Sequence, residues 1–408
     1  MIKFEYSNDS IERFNFIYKY LLLIAVASIF IGKISEVTFL GRDIFLNAAD
    51  IVIPLCFIFV LLIVLLSGGK IATDKGLIIY LIFIIYIFLS SFWAVDQLKV
   101  FRGGLTFINA LFIYFIVINA VKKEEDIEFY VEILKKIGLI ISLIIISIFI
   151  HNYELIHYGF YQYKKEIAIP LGKSNYLASF LSFFLFTTFS FYDKKKLMNI
   201  LIIILILLGI MLTGSRGALV SIFAGFLFFT ARYKKYVLWL GFLLIFIFLI
   251  QMYSNVLNIR LFREMLHVNA LTPISRLIMM NAGWEVFKLN PILGVGLHNI
   301  RVILPQNYFL PGTEIHNGLI QMLSEAGLIG TFLYSAIYIY CIKLWRSLNY
   351  FFKEKYFGFF IGIMVMVIHS NFEIIFLTPS YEYLLALFLG FLFVIVSSDE
   401  NKNQSSVL

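Results

Sequence analysis

The sequence predicts an all-α polytopic membrane protein with about twelve transmembrane helices. Three observations predict it. Hydrophobic residues make up 61% of the 408, only 14% are charged, and apolar runs of near-span length recur along the chain. An ordinary globular domain is about 25% charged. A soluble chain this apolar could not cover its core with polar surface, whereas a bilayer is a solvent that permits it. The 45 Phe and 24 Tyr agree, Tyr being at home in membrane interfaces.

The same composition sets aside other classes. The formal charge of +8 would suggest nucleic acid in a soluble protein, but no basic, aromatic-interleaved soluble module is present, so nucleic acid is excluded as a partner. Here Lys and Arg mark cytoplasmic loops. Cys56 and Cys341 both sit inside apolar runs, and no Cys/His spacing suits a metal. The N-terminus, MIKFEYSNDSIERFNFIYKY, lacks a short apolar region followed by a cleavage site; it reads as a cytoplasmic tail leading into the first span.

A helix needs about 20 apolar residues to cross the hydrocarbon, fewer when flanking residues reach the interface. On that criterion the spans are roughly 17–34, 46–68, 76–95, 103–121, 137–151, 172–192, 197–214, 216–231, 236–253, 317–342, 356–377 and 382–397, the fifth being short. No internal repeat or low-complexity linker interrupts them, so residues 1–408 read as a single membrane domain. With the N-terminus inside, 20 of the 33 Lys and Arg fall on the cytoplasmic side, and an even number of spans brings the C-terminus inside as well. Two external segments exceed minimal turns: 152–171, and 254–315 between spans nine and ten. A loop as long as the second is usually functional or disordered. Its Trp284 and the amphipathic spacing of ISRLIMMNAGWEVFKL predict folded structure, with helices lying along the interface.

Ionisable groups near membrane depth are expensive and tend to be functional. Arg216, in LTGSRGALVS, lies between two apolar runs; Gly214 and Gly217 let another group approach the backbone. Arg276 lies in PISRLIMMNAGW. The plain alternatives are an interface-snorkelling Arg and a solvated loop charge. The functional reading of both is phosphate recognition, since guanidinium matches phosphate oxygens in a bidentate fork. His316, in EIHNGLIQMLSEAGLIGTF, sits at the external mouth of span ten. On a continuous helix Gly327 falls about 20° and Gly330 about 40° from it, giving a stripe of small residues below the imidazole. Close helix packing along Gly327 and Gly330 would hold a base at fixed depth; the alternative is a satisfied structural histidine.

These stretches together resemble the O-antigen ligase and polymerase superfamily of bacterial membrane glycosyltransferases. His316-Asn317, nine residues, then Gly327-Leu328-Ile329-Gly330 matches that family's His-Asn-x9-Gly-x-x-Gly pattern, and SRGAL around Arg216 matches its Ser-Arg-Gly motif. PISRLIMMNAGWEVFKLNPILGVGLHN resembles the region before its catalytic span. The likeness covers roughly 170–345; the first 150 residues share only hydropathy. It implies a GT-C-like arrangement, with a large periplasmic loop between helices nine and ten. It also implies transfer of a glycan from undecaprenyl pyrophosphate to an acceptor hydroxyl, such as that of a lipid A-core, at the external face of the inner membrane. The transfer would be inverting and use no cofactor or metal, which suits the lack of an external Asp-x-Asp motif. The partners implied are membrane lipids, the lipid-linked glycan donor and a glycolipid or glycan acceptor.

Carried onto this chain, the resemblance makes His316 the group that deprotonates or orients the acceptor hydroxyl, and Arg216 and Arg276 the pyrophosphate ligands. Asn317 and Glu314 are candidates for orienting His316, and Lys173, in LGKSNYLASF, is a candidate third phosphate contact. His298, and the i, i+4 pair His369 and Glu373, read as structural. Two rivals stand beside the ligase reading. A repeat-unit polymerase of the same superfamily shares these motifs. A transporter of lipid-linked glycans should show inverted repeats and broken helices near the midplane, and no repeat is visible.

Overall fold

In a bilayer each backbone N–H and C=O must be satisfied within the protein, so long runs of Ile, Leu, Val and Phe fold as helices. The computed structural model describes residues 8–31, 33–39, 42–67, 71–152, 166–167, 172–190, 196–232, 271–308 and 315–405. Among them the helices are α1 (Asn8–Ser28), α2 (Ala48–Leu66), α3 (Lys75–Leu89), α4 (Gln97–Ala120), α5 (Glu124–His151), α6 (Ser174–Thr187) and α7 (Lys196–Thr213). They continue with α8 (Arg216–Arg232), α9 (Leu271–Leu289), α10 (Ile300–Tyr308), α11 (Gly318–Ser347), α12 (Tyr350–His369) and α13 (Pro379–Ser405). The departure from an all-helical reading is an antiparallel hairpin, β1 (Lys33–Phe39) with β2 (Arg42–Asn47), between α1 and α2.

Among the described residues six helices are long and apolar enough to cross a membrane: Ala48–Leu66, Lys75–Phe92 (α3 with its closing 3-10 turn), Gln97–Ala120, Glu124–His151, Gly318–Ser347 and Pro379–Asp399. Phe16–Ser28 and Leu197–Thr213 are shorter apolar helices. The expected ninth span, 236–253, lies outside the described residues, as does most of 152–171. The expected fifth span begins earlier than hydropathy suggests. Glu124, Glu125 and Asp126 occupy the first turn of α5, where carboxylates suit the helix dipole, and Lys355 pairs with Glu124 and Glu128. The expected eleventh span ends eight residues early, at His369. There Ser370 turns the chain, its hydroxyl bonding the Met366 carbonyl.

α4 and α13 form the centre, packed on each other, with 67% and 78% of their apolar windows buried. α2 lies outside, 28% buried, presenting Leu55, Phe59 and Leu62 outward as a lipid-facing helix should. A satellite core of Met279, Ala282, Val286, Val295, Ile300, Leu304 and Ile315 packs α9 and α10 onto the start of α11. Lys135 and Glu382, ionisable residues buried within the bundle, each make hydrogen bonds. The Lys135 ammonium donates to Glu132 at 2.9 Å and to the Ser190 carbonyl at 2.7 Å. Glu382 accepts from the Tyr334 hydroxyl at 2.6 Å.

α11 is not one continuous helix, which corrects the stripe expected from helical spacing. Gly327 has φ 62° and ψ −169° and breaks it. The freed backbone groups are satisfied by the 290–296 loop and by α3. Val295 N–H donates to Ser324 C=O at 3.0 Å, and Gly296 N–H to Glu325 C=O at 2.8 Å. The Tyr86 hydroxyl donates to Ala326 C=O at 2.6 Å. In return Leu328 N–H donates to Pro291 C=O at 2.8 Å and Ile329 N–H to Ile292 C=O at 3.2 Å. Irregular backbone survives inside a bundle when protein satisfies it in this way. Gly327 thus serves the break, where a Cβ would lie 2.4 Å from the Ile292 carbonyl oxygen. Gly330 alone keeps a packing role, with the Tyr86 ring 2.4 Å from where its Cβ would be.

Candidate active site

His316 precedes α11 in a backbone conformation, φ 56°, that few non-glycine residues adopt. The turn is fixed on both sides. The Asn317 side chain caps α11 by accepting from Ile320 N–H at 2.9 Å. Gly318 N–H donates to the Ser370 carbonyl at 2.7 Å, tying the start of α11 to the end of α12. That tie brings His316 beside Glu373, which lies in the turn after α12.

Glu373 is the hub. Its Oε1 lies 2.9 Å from His316 Nδ1. Its Oε2 accepts from Asn175 Nδ2 at 2.6 Å and lies 3.7 Å from Arg276 Nη2, an ion pair rather than a hydrogen bond. The Glu373 side chain is 3% exposed, against 30% for His316 and 36% for Arg276, so a buried carboxylate holds two groups that reach outward. Burial alone would push its pKa up. The hydrogen bond and charge of His316, the charge of Arg276 and the Asn175 amide outweigh burial and hold it below the ordinary carboxylate value.

The Ser-Arg-Gly turn meets the same segment. Ser215 Oγ accepts from Ala218 N–H at 3.4 Å at the start of α8 and lies 3.5 Å from His369 Nε2. Gly217 admits His369 and Phe372, with the Phe372 Cβ 2.8 Å from where a glycine Cβ would stand. Arg216, the first residue of α8, is exposed. Lys173 is exposed at the N-cap of α6, two residues before Asn175. Glu314 lies outside the described residues.

The described residues therefore bring His316 and Arg276 together through Glu373, with Arg216 and Lys173 on neighbouring turns. Sequence spacing pairs Glu373 with His369; the structure turns its carboxylate to His316 instead, because α12 has already ended. Asn175 was not among the candidates, although LGKSNYLASF contains it; an amide carries no signal until its carboxylate partner is known. Glu325, in the half of α11 that precedes the break, accepts from Ile300 N–H at 3.4 Å and so faces the loop that carries His298.

Comparison with known proteins bears on this geometry. Residues 201–335 match the family model described as O-antigen ligase. That stretch holds Arg216, Arg276, His316, Gly327 and Gly330, whereas Asn175 and Glu373 fall outside it. The chain is also similar to the teichuronic acid biosynthesis protein TuaE of Bacillus subtilis (strain 168), 27% identical over 303 residues, covering 66% of this chain. The chain spans about 60% of the length of that relative. The family match and the likeness to TuaE, with six helices among the described residues long and apolar enough to cross a membrane, support the O-antigen ligase/polymerase superfamily for this multi-pass membrane protein.

Proposed function

We propose that the chain is an O-antigen ligase-like glycosyltransferase, moving a glycan from undecaprenyl pyrophosphate to an acceptor hydroxyl, of a lipid A-core or similar glycan, at the external face of the inner membrane. The observation that carries this reading is the His316–Glu373 pair beside Arg276. With Nδ1 engaged by the carboxylate, the imidazole leaves Nε2 for a substrate, the tautomer a general base requires. The acceptor hydroxyl gives its proton to His316 Nε2, and its oxygen forms the new bond to the anomeric carbon. The bond from that carbon to the phosphate oxygen breaks on the opposite face, and the electron pair leaves with undecaprenyl diphosphate, inverting the centre. Glu373 faces the imidazolium that forms. Arg276 and Arg216 offset the charge gathering on the leaving diphosphate. No step needs a metal or cofactor.

A second reading is favoured by the likeness to TuaE, whose name gives teichuronic acid rather than lipopolysaccharide. In that reading the acceptor is another lipid-linked glycan, and the protein is a repeat-unit polymerase with the same chemistry. Transfer of lipid-linked glycan by purified wild type and His316→Ala, with EDTA present, tests the mechanism. Loss of turnover by about 100- to 10,000-fold in the variant is expected. Equal turnover would remove His316, and wild-type activity restored only by a divalent cation would overturn the metal-free mechanism. Supplying a lipid A-core or a second lipid-linked glycan as acceptor separates ligase from polymerase.

A further inference from the structure

The Glu373 carboxylate has two oxygens and three neighbours. Oε1 faces His316 Nδ1 at 2.9 Å, Oε2 accepts from Asn175 Nδ2 at 2.6 Å, and Arg276 stands 3.7 Å from Oε2. An ion pair at that distance attracts a carboxylate without fixing its plane, whereas a short hydrogen bond to an ionised group fixes it. The remaining charged or titratable groups nearby make no such contact with it among the described residues. His369, one turn earlier on α12, feels the charge of Glu373, and Lys173 and Arg216 are exposed on neighbouring turns. The orientation of Oε1 toward the imidazole therefore depends on what grips Oε2, and that is the Asn175 amide.

The fold delivers this amide rigidly. Every residue from Leu177 to Thr187 of α6 is buried, and α6 runs antiparallel against α12. Two glycines of α12 let the helices meet closely. At Gly362 a Cβ would stand 2.9 Å from the Phe183 ring and carbonyl oxygen, and at Gly358 it would strike the Phe186 carbonyl. Phe359 N–H donates to Ser190 Oγ at 3.0 Å, pinning the far end of the pair. At the near end Glu373 is itself anchored, its N–H donating to the His369 carbonyl at 3.1 Å and its carbonyl accepting from Ile375 N–H at 2.9 Å. Asn175 is the second residue of α6, at the helix end whose positive partial charge suits a carboxylate partner. An amide also suits the task chemically. It donates without carrying a charge, so the carboxylate keeps its own charge for the imidazolium.

We propose that Asn175 is a positioning residue of the candidate active site: it grips Glu373 by Oε2 so that Oε1 stays turned to His316 Nδ1. Asn175 lies outside residues 201–335, the stretch that the family model matches. The effect on turnover rests on the glycosyltransferase reading; the coupling of the two side chains does not.

The test uses purified full-length protein in detergent, with two readouts. In transfer of lipid-linked glycan, Asn175→Ala should lower kcat about 10- to 100-fold, as loss of a hydrogen bond to a charged group does, with KM for the donor held. Adding Asn175→Ala to Glu373→Gln should change turnover by no more than about twofold, because the amide acts through that carboxylate. Asn175→Asp places a second carboxyl against Glu373. While the pair shares a proton it still donates, so the ratio of its kcat to that of wild type should rise as pH falls toward about 5. Ser182→Ala, whose hydroxyl bonds the Ala178 carbonyl within α6, should turn over as wild type does. The second readout is the unfolding temperature, which needs no substrate. Asn175 helps to hold the Glu373 carboxyl below its ordinary value, so the gap between wild type and Asn175→Ala should be open at neutral pH, close as pH falls below about 4.5, and shrink in the Glu373→Gln background. Should Asn175→Ala not hold its fold by circular dichroism, the near-isosteric Asn175→Asp carries both readouts. Wild-type turnover by folded Asn175→Ala would overturn the proposal, as would losses that multiply fully with those of Glu373→Gln or a stability gap independent of pH. A coupled, pH-dependent gap in a protein that transfers no glycan would refute the glycosyltransferase reading and leave the grip on Glu373 standing.

Discussion

Replacing Glu373 by Gln removes one charge and almost no volume, so it isolates what the carboxylate does for His316. The carboxylate accepts from Asn175 at 2.6 Å and faces His316 Nδ1 at 2.9 Å on its two oxygens. A Gln side chain offers one acceptor oxygen, so either Asn175 or His316 loses its partner and meets an NH2 donor instead. The residue is 3% exposed, yet His316 and Arg276 can both turn to water, so the stability loss should be about 1–3 kcal/mol rather than that of a fully buried broken pair. The effect on turnover should be larger. An imidazole without its orienting acceptor samples the wrong tautomer and loses the charge that faces the imidazolium, a loss of about 100- to 10,000-fold, or roughly 3–5.5 kcal/mol. Because Glu373 acts through His316, kcat should fall while KM for the lipid-linked donor holds, and Glu373→Asp should recover part of the rate. The pH dependence has a definite sign. A carboxyl held below its ordinary value stabilises the fold fully above that value, and the contribution is lost as pH falls through the lowered one. Glu373→Gln should therefore flatten the acid limb of thermal stability below about pH 4.5. Turnover within twofold of wild type at equal protein level would refute this reasoning, as would a rise in KM that accounts for the whole loss.

Three further outcomes follow from other parts of the structure. Arg276→Ala should cost roughly 2–5 kcal/mol in transition-state binding with Lys rescuing only in part, since Lys keeps the charge but not the fork; the same assay on Arg216→Ala tests its partner, and full activity in either would make that residue an interface anchor. Gly327→Ala forces a side chain into φ 62°, ψ −169° and against the Ile292 carbonyl, so the detergent-solubilised protein should lose about 2–4 kcal/mol of stability, read as a lower unfolding temperature. A single cysteine at Leu277, exposed on α9, in a background lacking Cys56 and Cys341, should react with an impermeant maleimide in intact cells; labelling only after permeabilisation would reverse the orientation and move the proposed site to the cytoplasm.

The sequence by itself determined that this is a multi-pass helical protein, because hydropathy is a local property and a bilayer allows few backbone solutions. It also singled out His316, Arg216 and Arg276 as candidates, since each is an ionisable group in or beside apolar sequence. It could not determine which carboxylate serves His316. Glu373 is 57 residues away, and the i, i+4 spacing that linked it to His369 presumes a helix that has already ended. Nor could periodicity reveal the break at Gly327. A helix ends where other groups can take over its hydrogen bonds, and here those groups come from Val295, Gly296, Pro291, Ile292 and Tyr86. Local chemistry set the elements, and contacts between segments distant along the chain set the partners, because a side chain's partner depends on which backbone the packed bundle places within about 3 Å of it.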